Sequence, residues 1–574
     1  MKHLLSGNEA VARGAWEAGV EIAAAYPGTP STEIMANMAA YDEIYAEWSV
    51  NEKVAFEVAY GAAIGGRRAL AAMKHVGVNV AADAMMTGSY IGTHAGFVLA
   101  VADDPGMHSS QNEQDTRIYA RFAQIPLLEP GSSQEAKDMV VQAFEISEQF
   151  DTPVILRLST RICHGKGVVE FRDRVIPEQK SYRKDAKKYV MVPAHARGRH
   201  VQVRERTQAL LEYSESSPLN VITKGDPDVG VITSGVSYNY AREVFPEASF
   251  FKLGFSHPLP IRKLAEFTKQ LKTVYVIEEL EPVIEDELKK QGIEVIGKNK
   301  LPCTGEYSPE LLRQKLLGAE PTEPESGLPG RPPVMCAGCP HRAVFSVLKT
   351  MNAVVSGDIG CYTLSTLPPL NTMDTCVCMG ASVGIAQGLV RSLPERKARR
   401  TVSVLGDSTF IHSGIPSLAN AVYNQANITV IILDNRITAM TGHQDNPGTG
   451  KTLKGKSVPE FNFEAVARAM GAGFVRTIDP IDKDLTHETL QAAMDFDGPS
   501  VVIAKRPCVL VDRQQFEEHM QIDPELCTEC QRCLQIGCPS ISIHKGSVVI
   551  DETLCFGCSV CQQICPSDAI RRVE

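Results

Sequence analysis

The chain has 574 residues, of which 44% are hydrophobic and 22% charged, and a formal net charge of -10. No apolar run approaches the roughly 20 residues that span a bilayer, and an acidic surplus is the wrong sign for backbone phosphates, so neither a membrane nor a nucleic acid is expected as a partner. The length exceeds what one hydrophobic core supports, and MKHLLSGNEAVARGAWEAG lacks the continuous apolar stretch of a leader, so a multidomain cytoplasmic protein is expected.

From Leu4 to about Gly167, Ala-rich helical stretches (Glu9 to Ala24, Glu52 to Ala71, Gln134 to Gln149) alternate with strand-like runs at Phe97 to Val101 and Val154 to Leu158. This is α/β rhythm, and a first domain is expected over 1–175. Between Lys180 and Arg206 nine Lys/Arg face two acidic residues without apolar periodicity, which reads as a solvated connector over 176–225. A second α/β domain over 226–318 carries the strands VGVITSG and TVYVIEE and a helix near Glu281. Five prolines in EPTEPESGLPGRPPV mark a linker, 319–333. A third α/β domain is expected over 334–515, with strands at Thr401 to Leu405, Ile428 to Leu433 and Ser500 to Ala504, before a Cys-dense tail, 516–574.

Eight of the sixteen cysteines lie in that tail, in two related runs, CTECQRCLQIGCP and CFGCSVCQQICP. Soft thiolates at C-x2-C-x2-C…CP spacing suit two 4Fe-4S clusters, and in this pattern the fourth Cys of each run ligates the other cluster. Cys527, Cys530, Cys533 and Cys565 are the first ligand set; Cys555, Cys558, Cys561 and Cys538 are the second. Paired structural zinc sites would need neither the third Cys of each run nor the CP ending. The first run has four residues, Leu534 to Gly537, where the second has three. Clusters carry electrons singly and make no bonds, so another domain must generate the electrons.

The run TVSVLGDSTFIHSG ends an apolar strand at Gly406-Asp407-Ser408, and NITVIILDN ends another at Asn435. Carboxyl ends of parallel strands are where ligands bind, and Mg2+ favours oxygen ligands such as an Asp carboxylate and an Asn amide shared with phosphates. GTGKT at Gly448 to Thr452 resembles the end of a phosphate loop, but Asp445 occupies the position of its first glycine and no strand precedes it.

These segments resemble the thiamine-diphosphate motif, GDG followed some 25 residues later by Asn, with Ser408 replacing the last Gly. The resemblance implies Asp407, Asn435 and the Ile437 carbonyl as Mg2+ ligands, with Gly406 and Ser408 at the diphosphate. TGHQDNPGTG is similar to the loop that follows this site in ferredoxin-linked members. NEKVAFEVAYGAAIGGRRA resembles the segment of pyruvate:ferredoxin oxidoreductases whose Glu hydrogen-bonds the thiamine aminopyrimidine, which implies Glu52. YPGTPSTE resembles their substrate loop, implying Thr29, and NEQDTRIYARFAQIP implies Arg117 as partner of the substrate carboxylate, with Arg121 a competitor.

Together with MCAGCPHR and GDIGC, the order of modules resembles the α (large) subunits of indolepyruvate:ferredoxin oxidoreductases over essentially the whole chain. The implied fold class is α/β: doubly wound thiamine-diphosphate-binding domains (pyrimidine side 1–175, diphosphate side 334–515), an intervening transketolase C-terminal-like domain, and a two-cluster ferredoxin-like α+β domain. The implied reaction converts an arylpyruvate and CoA to arylacetyl-CoA and CO2, with electrons passing to ferredoxin and a smaller β subunit completing a heterodimer or α2β2 assembly. A third, proximal 4Fe-4S cluster is implied at Cys336, Cys339, Cys361 and Cys508, with Cys376 and Cys378 as possible replacements. The same reaction on another 2-oxoacid (pyruvate or branched-chain), a non-oxidative thiamine decarboxylase and a catalytically dead electron-transfer scaffold are the rival readings.

Overall fold

The computed structural model describes residues 2–321, 330, 332–511 and 518–573. The boundary expected at 515/516 and linker residues 322–329 and 331 lie outside the described residues. The chain divides into two compact units, Met1–Gly327 and Leu328–Glu574.

The first unit is built on a seven-stranded sheet whose spatial order is Phe255–His257, Leu127–Leu128, Val154–Ser159, Phe97–Asp103, Ala69–Lys74, Ile22–Ala25 and Tyr45–Trp48. All neighbours are parallel except the edge strand Phe255–His257. Phe97–Asp103 and Ala69–Lys74 are buried at every residue, as central strands covered on both faces must be. Helices are shorter than the Ala-rich text suggests. The first ends at Glu17, ahead of Gly19 at φ +78°, and the strand Ile22–Ala25 follows; the second ends at Ile64, ahead of Gly66 at φ +96°. Only glycine takes these left-handed positions without strain, so it ends each helix where alanine content alone would continue it.

The region expected as a solvated connector is corrected. Pro193–Ser216 is a 24-residue helix, and its basic residues finish another helix. Arg199 donates to the carbonyls of Tyr90 (2.7 Å) and Ile91 (2.9 Å), and Arg206 to that of Ser89 (2.6 Å), at the carboxyl end of the helix His75–Ile91. Those carbonyls have no partner within their own helix, and cations there also meet the negative end of its dipole. The docking is largely polar, so it leaves little apolar periodicity.

The first unit also holds a four-stranded sheet, in the order Thr273–Ile277, Asp226–Ser234, Ala248–Leu253 and Val221–Thr223, and an antiparallel pair, Lys2–Ser6 with Lys166–Glu170. The second unit carries a six-stranded, all-parallel sheet in the order Thr375–Cys376, Val354–Gly357, Thr401–Gly406, Thr429–Asp434, Ser500–Lys505 and Phe474–Ile478. Its chain order reverses between Val354–Gly357 and Thr401–Gly406, a switch point that opens a crevice at the strands' carboxyl ends. The tail holds two antiparallel ribbons, His519–Ile522 with Ile570–Val573 and Ile541–His544 with Ser547–Ile550.

Candidate active-site halves and thiol clusters

In the first unit Glu52 opens the helix Glu52–Ile64, which is capped by the Asn51 side chain accepting from the Val54 N–H at 2.9 Å. Glu52 is buried, and its side chain lies against Gly77 in the first turn of the helix His75–Ile91. A Cβ at Gly77 would sit 2.6 Å from Glu52 Cγ and 2.8 Å from Oε1, so only glycine admits the carboxylate there. Thr29 lies on the loop after Ile22–Ala25, and its carbonyl accepts from Ser109 Oγ at 3.2 Å.

Arg117, expected to meet the substrate carboxylate, is engaged within the protein. Its side chain is buried; it donates to Asp115 and Glu278 at 2.6 Å and to the carbonyls of Glu279 (2.9 Å) and Glu281 (3.0 Å). Burial opposes the guanidinium charge, and Asp115 and Glu278 more than restore it, leaving it more firmly charged than an ordinary arginine. It is a tie between the seven-stranded and four-stranded parts of the unit, already saturated with carboxylates. Arg121 is half-exposed and paired with Glu287 at 2.8 Å.

Lys74 and His75, passed over in the sequence, lie between the Thr29 loop and Glu52. Lys74 ends its strand buried, its Cβ would be 3.1 Å from a Cβ on Gly28, and its ammonium donates to the Ser109 carbonyl. Burial pushes that ammonium down to about 8. His75 is 1% exposed, with Nε2 3.2 Å from the Asn112 carbonyl and Nδ1 buried without a hydrogen-bond partner. Lys74 to Gly77 thus joins the Thr29 loop to Glu52. The signal was available as a Lys-His-x-Gly step from an apolar strand into a helix.

In the second unit Gly406-Asp407-Ser408 and Asn435 stand at the carboxyl ends of adjacent parallel strands. Asp407 Oδ1 accepts from the Ser408 N–H at 2.6 Å, while Oδ2 is buried with no hydrogen-bond partner. Burial, reinforced by Asp434, pushes this carboxyl up to about 7. Asn435 is buried; its Oδ1 accepts from the Ile437 N–H at 3.3 Å, and its Nδ2 lies 3.4 Å from His341 Nε2. A buried carboxylate oxygen without a partner lacks a cation, and one carboxylate, one amide and one carbonyl suit a hard ion that keeps other ligands for phosphate. The residues therefore fit an Mg2+-held diphosphate. Among the described residues, no three His, Cys, Asp or Glu side chains converge tightly enough to hold a single ion; the Asp407 set contains only one such side chain.

The cysteines fall into three neighbourhoods. Cys336 and Cys361 lie within electrostatic reach of Cys339, and Cys508 within reach of Cys361. Burial pushes the Cys339 thiol up to about 12 and that of Cys361 to about 11. Cys530 and Cys565 lie near Cys533, while Cys538, Cys555 and Cys558 lie near Cys561. The tail thus pairs the last Cys of each run with the other run. Cys376 and Cys378 are exposed and lie near Asp358 and each other. Cysteines grouped in this way suit soft iron-sulfur centres, although among the described residues these contacts do not place Cys527.

Three family descriptions match: "Pyruvate flavodoxin/ferredoxin oxidoreductase, thiamine diP-bdg" over 13–219, "Thiamine pyrophosphate enzyme, C-terminal TPP binding domain" over 358–504, and "4Fe-4S binding domain" over 548–571, which covers the second Cys run. The indolepyruvate oxidoreductase subunit IorA of Archaeoglobus fulgidus is 42% identical over 612 residues, covering 99% of this chain and 97% of its own. That of Pyrococcus horikoshii is 42% identical over 630 residues, covering 100% and 97%. The chain belongs to the IorA family. A 2-oxoglutarate:ferredoxin oxidoreductase structure from Magnetococcus marinus, solved with 2-oxoglutarate, coenzyme A and succinyl-CoA bound, aligns at 16% identity and TM-score 0.47, over 55% of this chain and 65% of that one. As an IorA-family member the chain is the α subunit of a 2-oxoacid:ferredoxin oxidoreductase, dependent on thiamine diphosphate and using 4Fe-4S electron transfer.

Proposed function

We propose that the substrates are arylpyruvates of the indolepyruvate type, converted with CoA to arylacetyl-CoA and CO2 while ferredoxin takes the electrons. The observation that carries this reading is the 42% identity, over nearly the full length of both chains, to subunits named for indolepyruvate. A smaller β subunit completes the enzyme; the name "subunit" on those relatives supports a partner.

Bound thiamine diphosphate supplies the electron sink that lets a 2-oxoacid lose CO2. The chain's residues do the rest. Glu52, held against Gly77, exchanges a proton with the aminopyrimidine. Asp407, Asn435 and the Ile437 carbonyl would hold the Mg2+ of the cofactor, with Gly406 and Ser408 at its diphosphate. Thr29 orients the 2-oxoacid, whose carboxylate meets Lys74 in the place expected for Arg117, because Arg117 is already committed to Asp115 and Glu278. Cys336, Cys339, Cys361 and Cys508 hold a proximal cluster, and the tail holds two more. A non-oxidative decarboxylase would have no use for this many thiol sets.

The test is an anaerobic panel of 2-oxoacids with CoA and a viologen dye, using this chain with its β subunit. Indolepyruvate or phenylpyruvate should give the highest kcat/KM, and this chain alone should reduce dye poorly. Preference for pyruvate or a branched aliphatic oxoacid would overturn the substrate assignment.

A further inference from the structure

Arg342 is buried in the second unit, three residues after Cys339, on the helix Pro340–Thr350. One terminal nitrogen, Nη2, donates to the carbonyls of Met335 (2.5 Å) and Cys336 (3.2 Å). The other, Nη1, donates to the carbonyls of Ile536 (2.9 Å) and Gly537, next to Cys538. The guanidinium therefore spans from the Cys336–Cys339 loop to the longer first run of the tail. Nε is buried without a hydrogen-bond partner.

Two further contacts lie on the same side. Gly338, at φ +69°, faces Phe556 so closely that a Cβ would stand 2.7 Å from Phe556 Cβ. A cavity of about 20 Å³ is lined by Cys339 and Arg342 together with Cys538, Cys555, Cys558 and Cys561. All four cysteines of the second tail set thus line the space beside Cys339. Among the described residues, none of Cys527, Cys530, Cys533 and Cys565 does so.

The first run's additional residue also has a place here. Gly537 takes φ +66°, and a Cβ on it would meet Pro369 Cδ at 2.7 Å and Arg342 Nη1 at 3.3 Å. The longer loop turns the Ile536 and Gly537 carbonyls toward the arginine. Four hydrogen bonds from one cation to carbonyls of both loops are the strong, charge-assisted kind, and they fix geometry as well as energy.

We propose that Arg342 is a positioning residue that clamps the Cys336–Cys339 loop to the tail, so that the Cys538/Cys555/Cys558/Cys561 site, and not the Cys527 site, is the tail's point of electron entry. One electron leaves the Cys336-set cluster, which is oxidised by one, and one reaches its neighbour, which is reduced by one; no proton or bond moves. The clamp explains how two separate modules keep a fixed electron path, and it assigns a role to the residue that sets the first run apart from the second. This rests on the proposed proximal cluster at Cys336, Cys339, Cys361 and Cys508.

The experiment uses the full chain with its β subunit, purified anaerobically. Three readouts are taken: iron content, the electron paramagnetic resonance spectrum of the reduced protein, and amide exchange over 533–541. Arg342→Lys keeps a cation but loses the two-pronged bridge; Gly537→Ala leaves the arginine intact and displaces its dock. Wild type should hold about twelve iron atoms, four per cluster, and show a spin interaction that Cys555→Ser with Cys558→Ser removes. Both clamp variants should keep their iron, lose that interaction, and exchange 533–541 on the order of tenfold faster or more. Wild-type interaction and exchange in both variants would overturn the clamp. An interaction that survives Cys555→Ser with Cys558→Ser would overturn the entry point. Eight iron atoms in wild type would overturn the proximal cluster itself, and the exchange readout would then decide the clamp alone.

Discussion

The backbone N–H of Cys508 donates to the carbonyl of Asn435 at 2.9 Å. One hydrogen bond therefore ties a cysteine of the Cys336 set to the residue proposed to hold the diphosphate's metal. Cys508 follows the strand Ser500–Lys505 and Asn435 follows its parallel neighbour Thr429–Asp434, so under the proposed assignments the sheet would fix where electrons leave relative to the diphosphate.

The Asp407 carboxylate is the part of that site with an unmet need. Asp407→Ala should weaken Mg2+ and thiamine diphosphate retention by at least on the order of 100-fold while the chain stays folded, because the change removes one buried oxygen without a hydrogen-bond partner and, on the other, the short-range bond from the adjacent Ser408 N–H. Thiamine content after gel filtration, with and without a chelator, checks this. Full retention in the variant would remove Asp407 from the site.

Glu52→Gln should keep bound thiamine diphosphate and lose most turnover, since an amide preserves the shape against Gly77 but transfers no proton. Loss on the order of 100-fold or more in kcat is expected. Thiamine content and dye reduction measured on one preparation check the pair of outcomes.

Lys74 and Arg117 should separate cleanly. Lys74→Met is expected to raise KM for the 2-oxoacid on the order of tenfold or more, the cost of a lost charge-assisted bond, with little change in melting. Arg117→Leu leaves Asp115 and Glu278 buried without their cation and should cost about 3–5 kcal/mol of stability. Urea unfolding beside initial-rate kinetics reads both.

That contrast shows what was legible. The iron-sulfur tail and the strand-end positions of Asp407 and Asn435 were legible because each signal is local: a repeated Cys spacing, or a polar residue ending an apolar strand. The pairing of Arg117 with Glu278 was not legible, because the two are 161 positions apart. The helix Pro193–Ser216 was missed for a related reason, its docking being largely to carbonyls of a distant helix. The Arg342 bridge joins residues 194 and 195 positions apart, and the longer first run appeared only as an irregular spacing.

Glu279 provides a pH test away from the cofactors. Its carboxyl accepts from the Tyr307 N–H at 2.9 Å, with Arg157, Lys298 and Glu306 also near, and burial pushes it up to about 7 from an ordinary 4.5. The folded state thus holds this proton more tightly than the unfolded state does. Its contribution to stability is fully present below about pH 4.5 and is lost as pH rises through 7. Glu279→Gln should therefore be more stable than wild type at pH 8, by about 1–3 kcal/mol, and closer to it at pH 5. Thermal melts at the two pH values check the sign.

The most direct test of the central claim is product analysis of the anaerobic complex given indolepyruvate, CoA and oxidised viologen. The account predicts indoleacetyl-CoA and CO2 in equal amounts, with two one-electron dye molecules reduced per turnover. Indoleacetaldehyde and CO2 formed without dye reduction would contradict it.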